Sequence, residues 1–256
     1  MRTDTSAGRG SAAVRTVLEA SLAETRARGI EQPRVVDVGG GSGGWAVPFA
    51  SSGCQVTVVE PNPNALATLR RRAEEGGVAD RITVVADDSE ALHRHVPAGS
   101  ADLVLAHGLF EVVDDPSATA AALAGVLAPG GTVSVLVANR HAAVLHRALA
   151  GRLTTARQLL ASPEGVLAED GETLLRRLDT ARLAELLVGA GLEITLLQGD
   201  GVVPDAAQPA AHPADAEAEV GTWETELAEF EALAANTPPL RDIAGRLHAL
   251  ATRPRS

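Results

Sequence analysis

Lysine and tyrosine are absent from this chain of 256 residues, and cysteine occurs once. The missing lysine and tyrosine mark a compositional bias toward alanine and arginine and exclude no function. The lone Cys54, beside an expected buried strand, excludes a disulfide framework and a cysteine-based metal site and suits a reducing compartment. No apolar run approaches the length that crosses a bilayer, and the opening MRTDTSAGRGSAA lacks the apolar centre of a signal peptide. A cytoplasmic protein without a membrane partner is therefore expected. Charge of one sign is missing from two long stretches. Between Arg182 and Arg241 there are eleven acids and no arginine, which accounts for the whole formal charge of −11. From Pro116 to Pro163 there is no acid, while Arg140, Arg147, Arg152 and Arg157 are joined by His141 and His146. The sum argues against an anionic partner, but the distribution leaves one face able to receive an anion.

What is present suffices for one substantial core, since 45% of the residues are hydrophobic. Ser11 is placed to cap a helix whose Val14, Val17, Leu18 and Leu22 share one side, ending near Gly29. Strand-like runs follow at 34–38, 55–60, 82–86, 102–106 and 131–137, each separated by enough chain for a helix. This alternation predicts βαβ units and a parallel sheet. A basic helical stretch follows from Asn139, then a polar loop to about residue 178. The stretch DTARLAELLVGAGLEITLLQ reads as a capped helix, a glycine stop at Gly191 and a sixth strand, and RLHALATR as a seventh. Between them Val220, Trp223, Leu227 and Phe230 form the seam expected of a packed amphipathic helix with an acidic outer face.

The first strand ends in VVDVGGGSGGW, where glycines let backbone N–H groups approach a ligand with no Cβ in the way. Two spacings fit. Gly39, Gly41 and Gly44 satisfy the dinucleotide pattern G-x-G-x-x-G, whereas Asp37, Gly39, Gly41 and Gly43 satisfy the D-x-G-x-G-x-G of S-adenosylmethionine (SAM) enzymes. The glycines alone leave a nicotinamide cofactor and SAM both open. In a parallel sheet the ligand lies outside the carboxyl ends of the strands, so those ends carry the next signals. Glu60 can accept from both ribose hydroxyls of a nucleoside, Asp87 or Asp88 from an adenine amino group, and Ser89 can bond the ring edge.

Taken together, D-x-G-x-G-x-G, Glu60, ADD, DLVLAHGLFEVVDDP and LAPGG resemble the class I SAM-dependent methyltransferase family over roughly residues 30 to 138. Within it, GSAAVR, DVGGGSG, AHGLFEVVDDP, NRHAAVLHRALAGRL and LRDIAGRLHALATRP are similar to the tRNA methyltransferases that esterify 5-carboxymethoxyuridine at the wobble position. The resemblance implies an α/β, Rossmann-like sheet of seven mostly parallel strands with helices on both faces, and helical insertions after strand five and between strands six and seven. It implies a single methyltransferase domain over 11–256 behind a flexible 1–10: a SAM-binding core at 30–138, an insertion at 139–178, and C-terminal strands with an acidic helical insertion at 179–256. It also implies that Gly39 and Gly40 lie against the methionine part of SAM, with Asp37, Gly41 and Gly43 completing the loop. Glu60 then holds the ribose, Asp88, Ser89 and Glu90 line the adenine side, His107 contacts the cofactor, and Arg15 closes over it. The segment from Asn139 to Gly151 falls near the substrate. Two departures bear on the acceptor: the aromatic residues common in such proteins are missing, and residues 160–178 are mixed in charge.

Methyl transfer from a sulfonium is an in-line displacement catalysed mainly by positioning. An ionised carboxylate acceptor needs cations to orient it, for which Arg140 and Arg15 are the candidates. A hydroxyl acceptor needs a base, for which His107 is the first candidate. His141 and His146 have no acid or cysteine at ligand spacing in their helix, so no metal is expected. The expected acceptor is tRNA or a small anion. A small-molecule O- or carboxyl-methyltransferase and a non-catalytic SAM- or NAD-binding regulatory module are the competing readings.

Overall fold

The computed structural model describes residues 12–167, 176–203 and 216–255. The expected cap at Ser11 and the flexible residues 1–10 lie outside them. In chain order the elements are α1 (Ala12–Ala27), β1 (Arg34–Val38), α2 (Ala46–Ser51), β2 (Gln55–Val59), α3 (Pro63–Glu75), β3 (Ile82–Val85), α4 (Leu92–His95), β4 (Ala101–His107) and α5 (Pro116–Val126). They continue with β5 (Leu127–Ala138), α6 (Arg140–Leu149), α7 (Leu153–Ala161), α8 (Thr180–Gly189), β6 (Glu193–Asp200), α9 (Ala216–Ala234) and β7 (Arg246–Thr252).

The strands form one sheet in the order β3-β2-β1-β4-β5-β7-β6. All pairings from β3 to β5 are parallel, and β7 runs antiparallel to both β5 and β6. A parallel sheet needs helices on both faces, and the side-chain alternation of β4 shows how the sequence supplies the two layers. Leu103 and Leu105 pack with Leu18, Phe49, Leu66 and Leu69 from α1, α2 and α3. Val104 and Ala106 point the other way, to Leu123 of α5 and Leu183 and Leu187 of α8. Helix starts follow their caps: Asn62, Asp115, Asn139 and Asp179 each accept from first-turn N–H groups of α3, α5, α6 and α8. The face of α1 read from the sequence is the buried one, with Val14, Leu18 and Leu22 inside.

Two elements differ from expectation. β5 begins at Leu127, four residues before the expected start, so Pro129-Gly130-Gly131 lies within the strand. Leu127 pairs with Ala101, and a register shift between Ala101 and Leu103 takes up the irregularity. A Cβ on Gly131 would stand 2.8 Å from the Ala101 carbonyl oxygen, so the close pairing admits only glycine there. Of the expected α9 seam the Val220 side chain lies outside the described residues, and the remainder is less enclosed than a packed helix requires. Trp223 and Leu227 are half-buried, Phe230 is 45% exposed, and burial is completed only at Ala234 and Ala235. Its acidic side has a structural task, because the Glu231 carboxylate accepts from the N–H groups of Val202 and Val203 beyond β6.

Candidate functional site

The order β3-β2-β1-β4 places a switch point between β1 and β4, where chain direction away from the sheet reverses and a crevice opens at the carboxyl ends. The glycine loop leaves β1 at this point. Positive φ occurs at Gly39 (71°), Gly41 (54°) and Gly43 (81°), and not at Gly40 or Gly44. The backbone thus follows the D-x-G-x-G-x-G phasing of the two patterns that the sequence allowed. Gly40 is required by contact instead: a Cβ there would lie 2.5 Å from Asp37 Oδ2. At Gly41 a Cβ would meet nothing within 4 Å, so this turn of the loop faces open space.

Glu60 stands at the end of β2 and holds the loop. Its Oε2 accepts from the Gly41 N–H at 3.0 Å and its Oε1 from the Asn62 N–H at 2.8 Å. Behind the loop, burial and then the neighbouring Glu60 push the Asp37 carboxyl up to about 7. A cavity of about 470 Å³ opens beside this assembly, lined by Gly39, Glu60, Asp88, Ser89 and Glu90, with the segment 108–114 opposite. Of the two adjacent acids, Asp88 lines this cavity. Asp87 is engaged by His95 Nε2 at 2.7 Å and by the Asp88 N–H.

A second group forms around Trp45, the residue that ends the loop. The Arg15 guanidinium lies 5.2 Å from the centre of the Trp45 ring, and the His107 ring meets Trp45 edge-on at 5.4 Å. Arg15 and His107, far apart in sequence, are therefore joined through a residue that the sequence reading passed over. His107 Nε2 lies 2.8 Å from Ser134 Oγ, which is 2.9 Å from His248 Nε2. Burial, with His248 and Arg246 nearby, pushes the His107 imidazole down to about 3. It is neutral at pH 7.

Arg140 is placed differently from the sequence expectation. It begins α6 at the carboxyl end of β5, but its guanidinium is bound inside the protein, by the Asp179 carboxylate and by the carbonyl oxygens of Ser162 (2.7 Å) and Leu160 (3.4 Å). It ties α6 to the end of α7 and the start of α8, and has little left to offer an acceptor. Arg176 does comparable work at the cavity, donating to the carbonyls of Val113 and Asp114 and so bracing the 108–114 segment. Glu111 in that segment accepts from the Ala138 N–H at 2.7 Å, and burial pushes its carboxyl up to about 7. Neither Arg176 nor Glu111 was singled out from the sequence; a polar residue within the apolar run HGLFEVV was the available signal for Glu111.

A methyltransferase domain family model matches residues 11–197, nearly three quarters of the chain and the part that carries the loop, Glu60, the 88–90 turn and His107. The chain belongs to the class I SAM-dependent methyltransferase family. Among relatives, the chain is 34% identical to the tRNA 5-carboxymethoxyuridine methyltransferase of Escherichia coli K12 over 125 residues, which are 48% of this chain and 47% of that one. It is 32% identical to the ubiquinone biosynthesis O-methyltransferase of Xanthomonas axonopodis pv. citri over 166 residues, 65% of each chain. The match thus spans less than two thirds of the length of either relative. Among solved structures it shares its fold with a SAM-dependent methyltransferase of Methanosarcina mazei, at a TM-score of 0.60 and 17% identity over 88% of this chain and 94% of that one.

The residues present fit SAM. Asp37 Oδ2, Trp45 Nε1 and His107 Nδ1 are buried and have no hydrogen-bond partner among the described residues. Such atoms cost about 1–3 kcal/mol each when left alone, and a polar ligand that partners them offsets that cost. The cavity has Glu60 and Ser89 in its lining, whereas Arg15, Trp45 and His107 form a separate group that is not part of that lining.

Proposed function

We propose that this methyltransferase acts on an anionic acceptor, with the carboxylate of 5-carboxymethoxyuridine in tRNA as the acceptor of choice. The observation that carries this reading is the engagement of His107, whose Nε2 is bound to Ser134 Oγ at 2.8 Å inside the sheet. An imidazole whose conjugate acid lies near 3 is a poor proton acceptor at pH 7. A hydroxyl acceptor would need a better base, whereas a carboxylate is already ionised and needs none. When bound, SAM supplies an electrophilic methyl group on a sulfonium. The chain's own residues hold and orient: Glu60 takes the ribose, Ser89 and Asp88 the base, and Arg15, stacked on Trp45, offers positive charge at the site. Holding two reactants in near-attack geometry accounts for roughly 7–11 kcal/mol in favourable cases.

The acid-free stretch supports the acceptor class. It spans α5 and β5 and then forms α6 and α7, which follow directly from the carboxyl end of β5, and Arg152 and Arg157 on it are exposed. With Arg140 bound to Asp179, the orienting role passes to Arg15, while Arg152 and Arg157 add attraction for a polyanion. The similarity to the E. coli tRNA enzyme favours tRNA over other polyanions, and this reading puts the protein in the cytoplasm.

A second reading, a hydroxyl on a small molecule, is favoured by Glu111. Its carboxyl is pushed up to about 7, the range of a general base, and its Oε2 is buried without a partner among the described residues. The similarity to a ubiquinone-pathway O-methyltransferase points the same way. Mass spectrometry of tRNA nucleosides from cells with and without the gene decides between them. The expected result is loss of a wobble-uridine methyl ester in the deletion strain. Unchanged tRNA, together with methylation of a phenol in vitro that Glu111→Gln abolishes, would overturn the carboxylate reading.

A further inference from the structure

Four polar side chains cross the sheet in a line that ends at His107. Gln198 on β6, His248 on β7, Ser134 on β5 and His107 on β4 lie on the face covered by α1 and α2, at the same parity as Leu196, Leu250, Leu136 and Leu105 of that apolar layer. Ser134 and His248 have no exposed surface and Gln198 has 3%. Gln198 Nε2 is 3.0 Å from His248 Nδ1, His248 Nε2 is 2.9 Å from Ser134 Oγ, and Ser134 Oγ is 2.8 Å from His107 Nε2.

In a buried chain of this kind each proton has one place to go, so the direction of the first bond sets the rest. The amide nitrogen of Gln198 can only donate, which makes His248 Nδ1 the acceptor. Burial pushes His248 down to about 4, so its ring is neutral at pH 7 and its single proton sits on Nε2. That N–H donates to Ser134 Oγ, and the serine hydroxyl donates onward to His107 Nε2. His107, also neutral, must then carry its proton on Nδ1, the buried atom with no partner among the described residues.

We propose that Gln198, His248 and Ser134 are positioning residues that hold His107 as the Nδ1–H tautomer, a hydrogen-bond donor directed away from Ser134 and unable to take a proton through Nε2. The neighbouring Trp45 Nε1–H is likewise buried and unpartnered among the described residues, and Arg15 covers the same ring. The three groups present donors only, which suits a carboxylate oxygen. The functional consequence rests on the proposed reading that SAM binds at this edge of the sheet; the tautomer does not.

The test is ¹⁵N NMR of the imidazole nitrogens in the full chain, with calorimetric titration of S-adenosylhomocysteine (SAH). In the unmutated protein His107 Nδ1 is expected in the protonated, pyrrole-type range and Nε2 in the acceptor, pyridine-type range. Gln198→Leu removes the donor that sets the direction without touching His107. It is expected to mix the two His107 tautomers and, by lowering the population of the competent one, to weaken SAH binding about two- to five-fold. An Nε2–H tautomer in the unmutated protein, or a His107 spectrum unchanged by Gln198→Leu, overturns the proposal. Failure of the unmutated protein to bind SAH sinks the cofactor reading instead, and the two failures are distinguishable because the tautomer is read without ligand.

Discussion

Replacing Glu60 tests the cofactor site most directly, because on the proposed reading one carboxylate serves the loop and the nucleoside together. Its two oxygens carry about four lone-pair positions, of which the Gly41 and Asn62 N–H groups use two. Glu60 lines the cavity together with Gly39 and Ser89, and on the proposed reading two ribose hydroxyls donate to the remaining positions. Hydrogen bonds to a charged group contribute about 1.5–3 kcal/mol each. Water entering the enlarged site of Glu60→Ala returns part of that, so a net loss near the value of one such bond is expected, weakening SAH by roughly ten- to a hundred-fold. The unliganded protein loses acceptors for two backbone donors that water can reach, costing about 1 kcal/mol of stability. Glu60→Gln keeps the shape, but its NH₂ must face one of the two backbone N–H groups, so its affinity should fall close to that of the alanine variant. Isothermal titration calorimetry with SAH and urea denaturation read the two effects separately. An SAH affinity within about three-fold of the unmutated protein, in a variant that folds, would refute the assignment of Glu60 to the ribose.

Arg140→Ala should lower stability by about 2 kcal/mol, since it removes a largely buried ion pair and the bonds to Ser162 and Leu160. SAH affinity should be unchanged, and urea denaturation showing full stability would contradict the strut described above. Asp37→Asn should produce a pH-dependent difference. Burial and Glu60 raise the folded pKa from 3.8 to about 7, so the acid loses stability as pH rises through that window, at up to about 1.4 kcal/mol per pH unit. The asparagine variant escapes that loss, so its stability relative to the unmutated protein should increase from pH 5 to pH 7. A difference independent of pH would show that Asp37 is ionised throughout.

Much of this arrangement was legible in local sequence. A β-branched run such as RVVDV reads as a strand buried on both faces and forms one here, and Asn or Asp before Pro starts a helix by capping it. The positions of Gly39, Glu60 and Ser89 followed from the rule that ligands lie at the carboxyl ends of parallel strands, and all three line one cavity. The glycine phasing was not decidable in this way, because two spacings overlap within six residues and only the backbone dihedrals separate them.

What the chain's one-dimensional pattern could not reveal are the contacts between residues distant in sequence. Arg140 was correctly placed at the end of β5, yet whether its charge faces a ligand or Asp179, thirty-nine residues away, depends on how the start of α8 returns to that point. The relay to His107 is the extreme case. Ser134, Gln198 and His248 carry no signal in the sequence, and they meet only because β7 inserts antiparallel between β5 and β6 and sets Gln198 opposite His248. Local propensity and periodicity act over a few residues, so the sequence by itself determined most of the elements and the strand ends where the cavity opens. Register between strands is a property of the whole packed sheet, and it alone decided which protons and charges at that edge remain available for chemistry.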